Sequence, residues 1–181
     1  MKLHLGCGIR DFGSDWHHID MEDHPHVKSH SITKLPYSDK SVSIIYASHV
    51  LEYFDRIGVL DVLDEWNRVL KTGGVLRIAV PNFEVLAEMY HNREIKLSQA
   101  LGPIFGKWGS EVDKVYHRTT YDFESLSKIL SFCGFYDAKF WDWRDTEHAH
   151  IDDHSQAYIP HMEKDTGRLI SLNVEAYCGD V

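Results

Sequence analysis

The sequence has few cysteines, and none of them are paired in a recognisable motif. Cys7, Cys133 and Cys178 are the only cysteines in 181 residues, and no C-x-x-C spacing occurs. An odd number of scattered cysteines excludes a disulfide framework and a zinc knuckle of the usual spacing. The pattern predicts reduced thiols, as in a cytoplasmic protein.

Long apolar runs and basic residues are also scarce. The apolar segment at residues 75–80 is already interrupted by Arg77, so no segment reaches the length of a membrane span. The first five residues lead directly into a glycine motif, without the apolar stretch of a secretory signal. The 19 basic residues are outnumbered by 28 acidic ones, and the formal net charge is −9. We therefore expect a cytoplasmic protein with no membrane partner and no nucleic-acid partner.

The segments of the chain alternate between strand-like and helix-like patterns. Apolar, β-prone segments occur at residues 3–5, 17–21, 43–47, 75–80, 135–143 and 169–177, with a weaker one at 26–32. Helical periodicity is found between them. This alternation is typical of a Rossmann-like, doubly wound α/β fold with a mainly parallel sheet and helices on both faces. We expect one domain over residues 1–181 with a seven-strand-type sheet.

Two helical segments have clear ends, and one segment is ambiguous. Asp55 is a candidate N-cap for a helix that closes near Lys71, with Gly73 or Gly74 after it. Asp122 is a candidate N-cap for a later helix. Residues 91–118 contain Gly102-Pro103 and several further glycines, which predicts turns that interrupt any helix.

A glycine pair and a carboxylate follow the first two predicted strands. Gly6 and Gly8 come directly after the first strand, where glycine lets the backbone turn sharply and approach a ligand. Asp20 ends the second strand, where a carboxylate can accept both hydroxyls of a ribose. In open parallel sheets ligands bind beyond the carboxyl ends of the strands, so these residues predict a nucleotide-type site.

Four ordered stretches resemble the class I S-adenosylmethionine-dependent methyltransferases, and in particular their type 11-like domain family. His-Leu-Gly-Cys-Gly at residues 4–8 is similar to the first family motif, L-x-L-G-C-G. Residues 35–39 resemble L-P-F-x-D, residues 48–54 resemble H-V-L-E-H-F, and residues 68–76 resemble R-V-L-K-P-G-G-x-L. The resemblance implies S-adenosylmethionine as cofactor and methyl transfer to a small-molecule or glycan-type acceptor.

The resemblance also implies a set of cofactor-binding residues. Gly6 and Gly8 would pass under the methionine portion, Asp20 would hold the ribose, and Ser31 stands where the family commonly has an Asp that binds the adenine amino group. The complete set is Leu5, Gly6, Cys7, Gly8, Asp20, Met21, Ser31, Ile32, Ala47, Ser48 and His49.

Two histidines are the candidate catalytic residues. His49 follows the fourth strand, and His117 stands where related methyltransferases often have a histidine facing the acceptor. We expect His117 to be the general base and His49 to shape the pocket. Residues 84–120 would form a lid that selects the acceptor, and residues 144–167 would close the far side.

Three other interpretations start from the same residues. A nicotinamide-binding site would need a third glycine where Asp11 stands, and Asp20 comes too soon for its acidic residue. Ser31 and Ser43 replace family aspartates, which motivates a catalytically silent binding module. His148, His150 and His154 with neighbouring aspartates could hold a metal, but the spacing fits no metal motif, and we expect none. The acceptor, the methylated atom and the oligomeric state are not encoded in a readable pattern.

Overall fold

A seven-stranded sheet forms the centre of the fold. The computed structural model describes residues 1–109 and 114–180, the side chains at 108 and 109 excepted. The strands are, in chain order, β1 Lys2–Leu5, β2 Trp16–Ile19, β3 Val27–Ser29, β4 Val42–Ser48, β5 Leu70–Pro81, β6 Trp108–Gly109, β7 Lys114–Val115, β8 Phe135–Phe140, β9 Tyr158–Ile159, β10 Arg168–Leu169 and β11 Ser171–Cys178. The α-helices are α1 Gly58–Val69, α2 Phe83–His91, α3 Leu97–Phe105 and α4 Phe123–Phe132.

The order of the sheet is β3-β2-β1-β4-β5-β11-β8, and the remaining strands form two separate pairs, β6 with β7 and β9 with β10. The strands from β3 to β5 are parallel, whereas β11 runs antiparallel to both β5 and β8. The predicted mainly parallel, seven-stranded sheet is confirmed. Its strand order reverses between β1 and β4, and such a reversal opens a crevice at the carboxyl ends of the strands.

The two faces of the sheet are covered differently. Leu3, Leu5 and Ile45 on one face belong to a single apolar cluster with α1 and α4, which contribute Trp66 and Leu126 among others. The opposite face carries His4 and Tyr46 and is covered by the loop at residues 9–13 and by the chain from Trp141 to Gln156, which includes 3-10 helices at Trp143–Asp145 and His154–Gln156. Helical elements therefore lie on both faces, but on the second face they are short 3-10 turns.

The second face is held by contacts between the N-terminal segment and residues 147–152. Phe12 is stacked between His4 and His148, with ring centroids 3.9 Å apart on either side. Arg10 Nε donates to the Asp152 backbone oxygen at 2.8 Å. Glu147 accepts from Lys2 Nζ at 2.7 Å and from Trp16 Nε1 at 2.9 Å. These contacts tie two segments that are far apart in sequence.

The ends of the first helix differ from the sequence expectation. Helix α1 begins at Gly58, and Asp55 Oδ1 accepts from the Ile57 and Gly58 N–H groups at 3.0 and 2.8 Å. Asp55 therefore caps the first turn from three residues before the helix starts. The helix ends at Val69, because Leu70 turns extended and pairs with Val42. Lys71 and Gly73 consequently lie in β5, and the predicted helix end there was wrong.

The ambiguous segment contains a helix that the sequence did not predict. Helix α3 runs through Gly102-Pro103, and Gly106 N–H donates to the Gly102 oxygen at 2.7 Å just after its end. Proline removes only one intrahelical hydrogen bond in so short a helix, and α3 packs on α2 through Ala100 and Met89.

Two further details concern the strands. The predicted strand at residues 135–143 ends earlier, at Phe140, and no helix joins β1 to β2.

Among the residues that the structure describes, no helix is long and apolar enough to cross a bilayer.

Candidate functional site

A cavity of about 650 Å³ lies at the carboxyl ends of β1, β2 and β4. It is where the strand order reverses, as the sequence analysis expected for a nucleotide-type site. Its wall combines residues of the glycine loop, the segment after β4, the α3 region and the chain after residue 150. Those lining residues are Gly6, Gly8, Arg10, Asp20, Met21, Ile32, Ser48, His49, Val50, Tyr53, Phe54, Gly102, Pro103, Gly106, Lys107, Val115, His117, Asp152, Asp153, His154, Ala157, Tyr158, His161, Met162 and Ile170.

The glycine loop after β1 depends on glycine at two positions. Gly6 has φ +66°, and a Cβ built there would overlap Val50 Cγ2. Gly8 has φ +53° and, apart from the end of the Arg10 side chain, faces open space. A side chain at either position would be strained, and at Gly6 it would also be blocked by the segment after β4. The loop is therefore a backbone surface along which an extended ligand can lie.

Asp20 is fixed at the end of β2 by backbone donors. Its Oδ2 accepts from Gly8 N–H at 2.7 Å, and its Oδ1 accepts from Glu22 N–H at 2.9 Å. The side chain faces the cavity although the residue is only 8% exposed. A carboxylate has about four lone-pair directions, so each oxygen retains a free one for a ligand hydroxyl.

The other residues of the predicted cofactor set divide into two groups. Met21, Ile32, Ser48 and His49 line the cavity together with Gly6, Gly8 and Asp20. Leu5, Cys7, Ser31 and Ala47 are not among the lining residues.

Three of the four residues outside the lining are packed into the protein. Leu5, Cys7 and Ala47 are fully buried. Burial, and then the charge of Asp20, raises the pKa of the Cys7 thiol to about 12, so it stays protonated near neutral pH. The hydroxyl of the fourth residue, Ser31, accepts from the Lys34 N–H at 3.1 Å, in a local turn.

The two candidate catalytic histidines lie close to one carboxylate, that of Glu52. His49 Nδ1 is 3.2 Å from Glu52 Oε1, and His117 Nε2 is 3.8 Å from the same oxygen. The histidine side chains are 14% and 7% exposed, and Glu52 is fully buried. The sequence analysis named both histidines but missed Glu52, although a carboxylate next to the apolar Leu51 and three residues after His49 was a readable signal.

The ring of His117 is oriented by its surroundings. Its Nδ1 lies 3.0 Å from the Pro103 backbone oxygen, and the backbone N–H of His117 donates to the backbone oxygen of Phe105 at 2.9 Å. Tyr53 packs edge-on against the ring. A Cβ at Gly106 would overlap the imidazole, so the absence of a side chain at Gly106 makes room for the ring. The Nε2 atom of the ring therefore faces Glu52.

The predicted lid and the predicted far wall both reach the cavity. Gly102, Pro103 and Gly106 come from the segment 84–120, of which residues 110–113 lie outside the described part of the chain. Ala157 and Tyr158 come from the segment 144–167, together with Asp152, Asp153, His154, His161 and Met162.

His154 is a third histidine of the wall, and the sequence analysis gave it no role in the cavity. Its ring centroid is 5.2 Å from that of His49. Desolvation by the surrounding protein, and then the neighbouring His49, lowers the pKa of His154 to about 4 even though the residue remains accessible. His154 is therefore neutral at physiological pH.

The histidines considered for a metal do not come together. On an extended segment His148 and His150 would share one face, but the chain turns there, and His148 is buried while His150 is exposed. Across residues 1–109 and 114–180, no group of three His, Cys, Asp or Glu side chains is arranged to hold a metal ion.

Comparison with known proteins gives a family match over part of the chain and a shared fold. A family model described as a methyltransferase domain matches residues 14–78. No curated protein sequence matches the chain significantly.

Many solved structures share the fold at low sequence identity. An S-adenosylmethionine-dependent methyltransferase from Archaeoglobus fulgidus has a TM-score of 0.59 at 16% identity, covering 97% of this chain and 85% of its own. The 1,6-didemethyltoxoflavin-N1-methyltransferase of Burkholderia thailandensis, solved with its substrate and S-adenosylhomocysteine, has a TM-score of 0.56 at 12% identity, covering 99% and 71%. A putative Haloferax volcanii methyltransferase, in complex with the Trm112 activator, has a TM-score of 0.55 at 14% identity, covering 99% and 82%.

The strand order, the glycine loop and the carboxylate at the end of β2 agree with the family that the sequence motifs resemble. The family match over residues 14–78, less than half of the chain, and the shared fold make this chain similar to the class I S-adenosylmethionine-dependent methyltransferases.

Proposed function

We propose that S-adenosylmethionine binds along the glycine loop and that an acceptor binds beside it, against His117. The observation that carries this proposal is that the glycine loop, Asp20, His49 and His117 line one continuous cavity. Gly6 and Gly8 would lie under the methionine portion, and Asp20 would accept the ribose hydroxyls. The cavity volume of about 650 Å³ is within the range of small-molecule sites.

The remaining predicted residues would contribute in two ways. Met21 and Ile32 would contact the adenine, and Ser48 and His49 would face the sulfonium side. Leu5, Cys7 and Ala47 would shape the site through backbone position, since their side chains are buried in the protein. Ser31 would lie beyond the adenine edge, held in its turn by the Lys34 N–H.

The chain's contribution to the reaction would be alignment, exclusion of water and proton removal. When bound, S-adenosylmethionine supplies a methyl group on a sulfonium, ready for direct displacement. Tyr53, Phe54 and Ile170 enclose the cavity with apolar surface. Alignment of two reactants in such an enclosure lowers the activation free energy by on the order of 7 kcal/mol or more.

His117 would act as the general base. Because Nδ1 faces a backbone oxygen, the ring carries its proton there, and the lone pair of Nε2 is free to accept a proton from the acceptor. His49 would shape the pocket next to His117, since both rings approach the same Glu52 oxygen. Methylation of an oxygen or nitrogen acceptor releases one proton, and a neutral imidazole suits its removal near neutral pH.

The acceptor would be a small molecule or one terminal unit of a glycan. The chain would act as one domain, with residues 84–120 as the acceptor-selecting lid and residues 144–167 as the far wall. The Burkholderia thailandensis enzyme acts on a small heterocycle, which supports a small-molecule acceptor in this fold.

A catalytically silent binding module is the second candidate. It is favoured by Ser31, which stands where the family commonly has an Asp and lies outside the cavity lining. A module of this kind would bind a partner without transferring a methyl group.

Thermal unfolding with added ligands tests the proposal. A ligand at a hundredfold excess over its dissociation constant stabilises the folded state by about 2.7 kcal/mol. For a domain of this size, that raises the midpoint by roughly 5–10 °C. We expect this rise with S-adenosylmethionine and S-adenosylhomocysteine but not with NADH or ATP. No rise at millimolar ligand would contradict the proposal and favour the silent module.

A further inference from the structure

The buried carboxylate of Glu52 lies between the two histidines of the site. Both of its oxygens lack a well-aligned hydrogen bond from any residue in the described part of the chain. Its backbone oxygen accepts from the Arg118 N–H at 2.8 Å, which holds the segment in place. An ionised carboxylate so fully buried is strongly unfavourable unless a positive charge or a proton compensates it. Groups within 4 Å that could supply a positive charge include His49 and His117.

Hydrogen bonds on the far side of His49 fix one of its protons. The Asn173 amide nitrogen donates to the Ser155 backbone oxygen at 3.0 Å, so Asn173 Oδ1 faces Ser171 and accepts its hydroxyl proton at 2.9 Å. A hydroxyl has a single proton to donate, so Ser171 Oγ is left to accept from His49 Nε2 at 3.3 Å. His49 Nε2 therefore carries a hydrogen.

The other ring nitrogen of His49 faces Glu52 Oε1. A carboxylate oxygen of the fully buried Glu52 and a bare ring nitrogen 3.2 Å away would repel each other, which favours one proton on Nδ1 or on the carboxyl group. We propose that Glu52 and His49 hold this proton between them, as a pair with no net charge. The pair is an imidazolium with a carboxylate, or an imidazole with a carboxylic acid, and both forms have the same total charge.

The pair has a consequence for His117, and this step rests on the proposed function. The proton that Nε2 of His117 takes from the acceptor makes that ring an imidazolium 3.8 Å from Glu52 Oε1. The pair can then respond by leaving its proton on His49 and its negative charge on Glu52. Glu52 is thus a positioning residue that orients His49 and stabilises protonated His117, without touching the acceptor.

Nitrogen-15 NMR of the histidine side chains tests the shared proton without an acceptor. Ring nitrogens that carry a proton are distinguished from bare ones by chemical shift, and the His49 signals are assigned with His49→Gln. In the wild type at neutral pH, we expect Nε2 of His49 to be protonated and Nδ1 to be protonated or intermediate. In Glu52→Gln the amide group can donate to Nδ1, so we expect Nδ1 to shift to the bare type.

Two controls make the result specific to Glu52. Glu175→Gln removes another buried carboxylate, which pairs with Arg77 on the second face of the sheet, and should leave the His49 signals unchanged. His117 should keep its Nδ1 proton in all three proteins. A bare Nδ1 on His49 in the wild type, without the displaced shift that a hydrogen bond from a carboxylic acid causes, would overturn the proposal, and so would identical His49 spectra in wild type and Glu52→Gln.

The wild-type spectrum is decisive even if Glu52→Gln fails to fold. Thermal stabilisation by S-adenosylhomocysteine is measured on the same samples, so loss of the proposed cofactor site is recognised separately from absence of the shared proton.

Discussion

At the scale of single residues, His117 is the group whose removal should affect the reaction most directly. We expect His117→Asn to lower kcat by roughly a hundredfold or more on an identified acceptor, because general bases typically contribute that much. Binding of S-adenosylhomocysteine should be retained, since the ring lies on the acceptor side. Steady-state kinetics and ligand-dependent thermal unfolding together check this. Full turnover in His117→Asn would show that another group removes the proton.

Gly106 is the residue that allows the His117 ring its position. We expect Gly106→Ala to displace the imidazole and to cost about 1–3 kcal/mol of stability, because a Cβ would overlap the ring and the backbone has φ +46°. Gly73→Ala is the matched control, since its φ is +72° but nothing lies within 4 Å of the added Cβ. Chemical denaturation and the nitrogen shifts of His117 measure the two effects. Equal behaviour of the two variants would mean that backbone strain alone explains the loss.

Glu52 shows which part of a site a motif does not reveal. The family resemblance gave the positions of the glycines, Asp20 and the two histidines, and the structure brings all of these to one cavity. The motif at residues 48–54 includes Glu52, but its role depends on burial and on His117, 65 residues further along the chain, approaching to 3.8 Å. Such a contact depends on tertiary packing.

At the scale of elements, the loop after β1 packs against the segment after β4, with Gly6 facing Val50. We expect Gly6→Ala to weaken S-adenosylhomocysteine binding at least about tenfold, because the added Cβ meets Val50 Cγ2 and displaces the loop. The double variant Gly6→Ala/Val50→Ala should recover part of that loss, since the opposing methyl groups are gone. Calorimetric titration measures the dissociation constant of S-adenosylhomocysteine in each variant.

The control for this pair is Gly13→Ala. Gly13 also has a positive φ, of +91°, but a Cβ there meets nothing within 4 Å. It therefore reports the cost of backbone strain in the same loop region without the overlap. If adding Val50→Ala restored none of the binding lost in Gly6→Ala, overlap with Val50 would not be the reason that position 6 requires glycine.

The elements were predictable wherever local pattern and tertiary packing agree. The strands of the parallel sheet and helix α4, capped by Asp122 through the Ser125 N–H at 2.8 Å, follow from apolar periodicity and a capping residue. Helix α3 does not, because glycine and proline oppose a helix locally, whereas packing on α2 favours it. The early end of α1 at Val69 was equally unpredictable from local sequence, since it depends on Leu70 pairing with a distant strand.

At the scale of the whole molecule, buried histidines should make the fold sensitive to acid. Burial is the main cause that lowers the pKa of His148 from 6.5 to about 4 and that of His4 well below 6.5. These rings stay neutral in the folded state, while the unfolded chain takes up protons as the pH falls below about 6.5. As far as these histidines determine it, the free energy of unfolding is therefore highest above pH 6.5 and declines as the pH falls towards 4.

Denaturant unfolding at a series of pH values measures this decline. One pKa unit corresponds to about 1.4 kcal/mol, so His148 alone should account for a loss on the order of 3 kcal/mol. His148→Phe keeps a flat ring against Phe12 and should flatten the pH dependence between 6.5 and 4. The same slope in this variant would assign the acid sensitivity to other groups.

The stack of Phe12 between His4 and His148, with the Arg10 to Asp152 hydrogen bond beside it, links the segment after the glycine loop to the chain that forms the far wall of the cavity. We expect order imposed on one segment to be transmitted to the other through these contacts. A cofactor that restrained the first segment would then order the wall for an acceptor, and by thermodynamic reciprocity the acceptor would strengthen cofactor binding by the same factor. In the described part of the chain, this stack is thus the packing through which the two halves of the site would be coupled energetically.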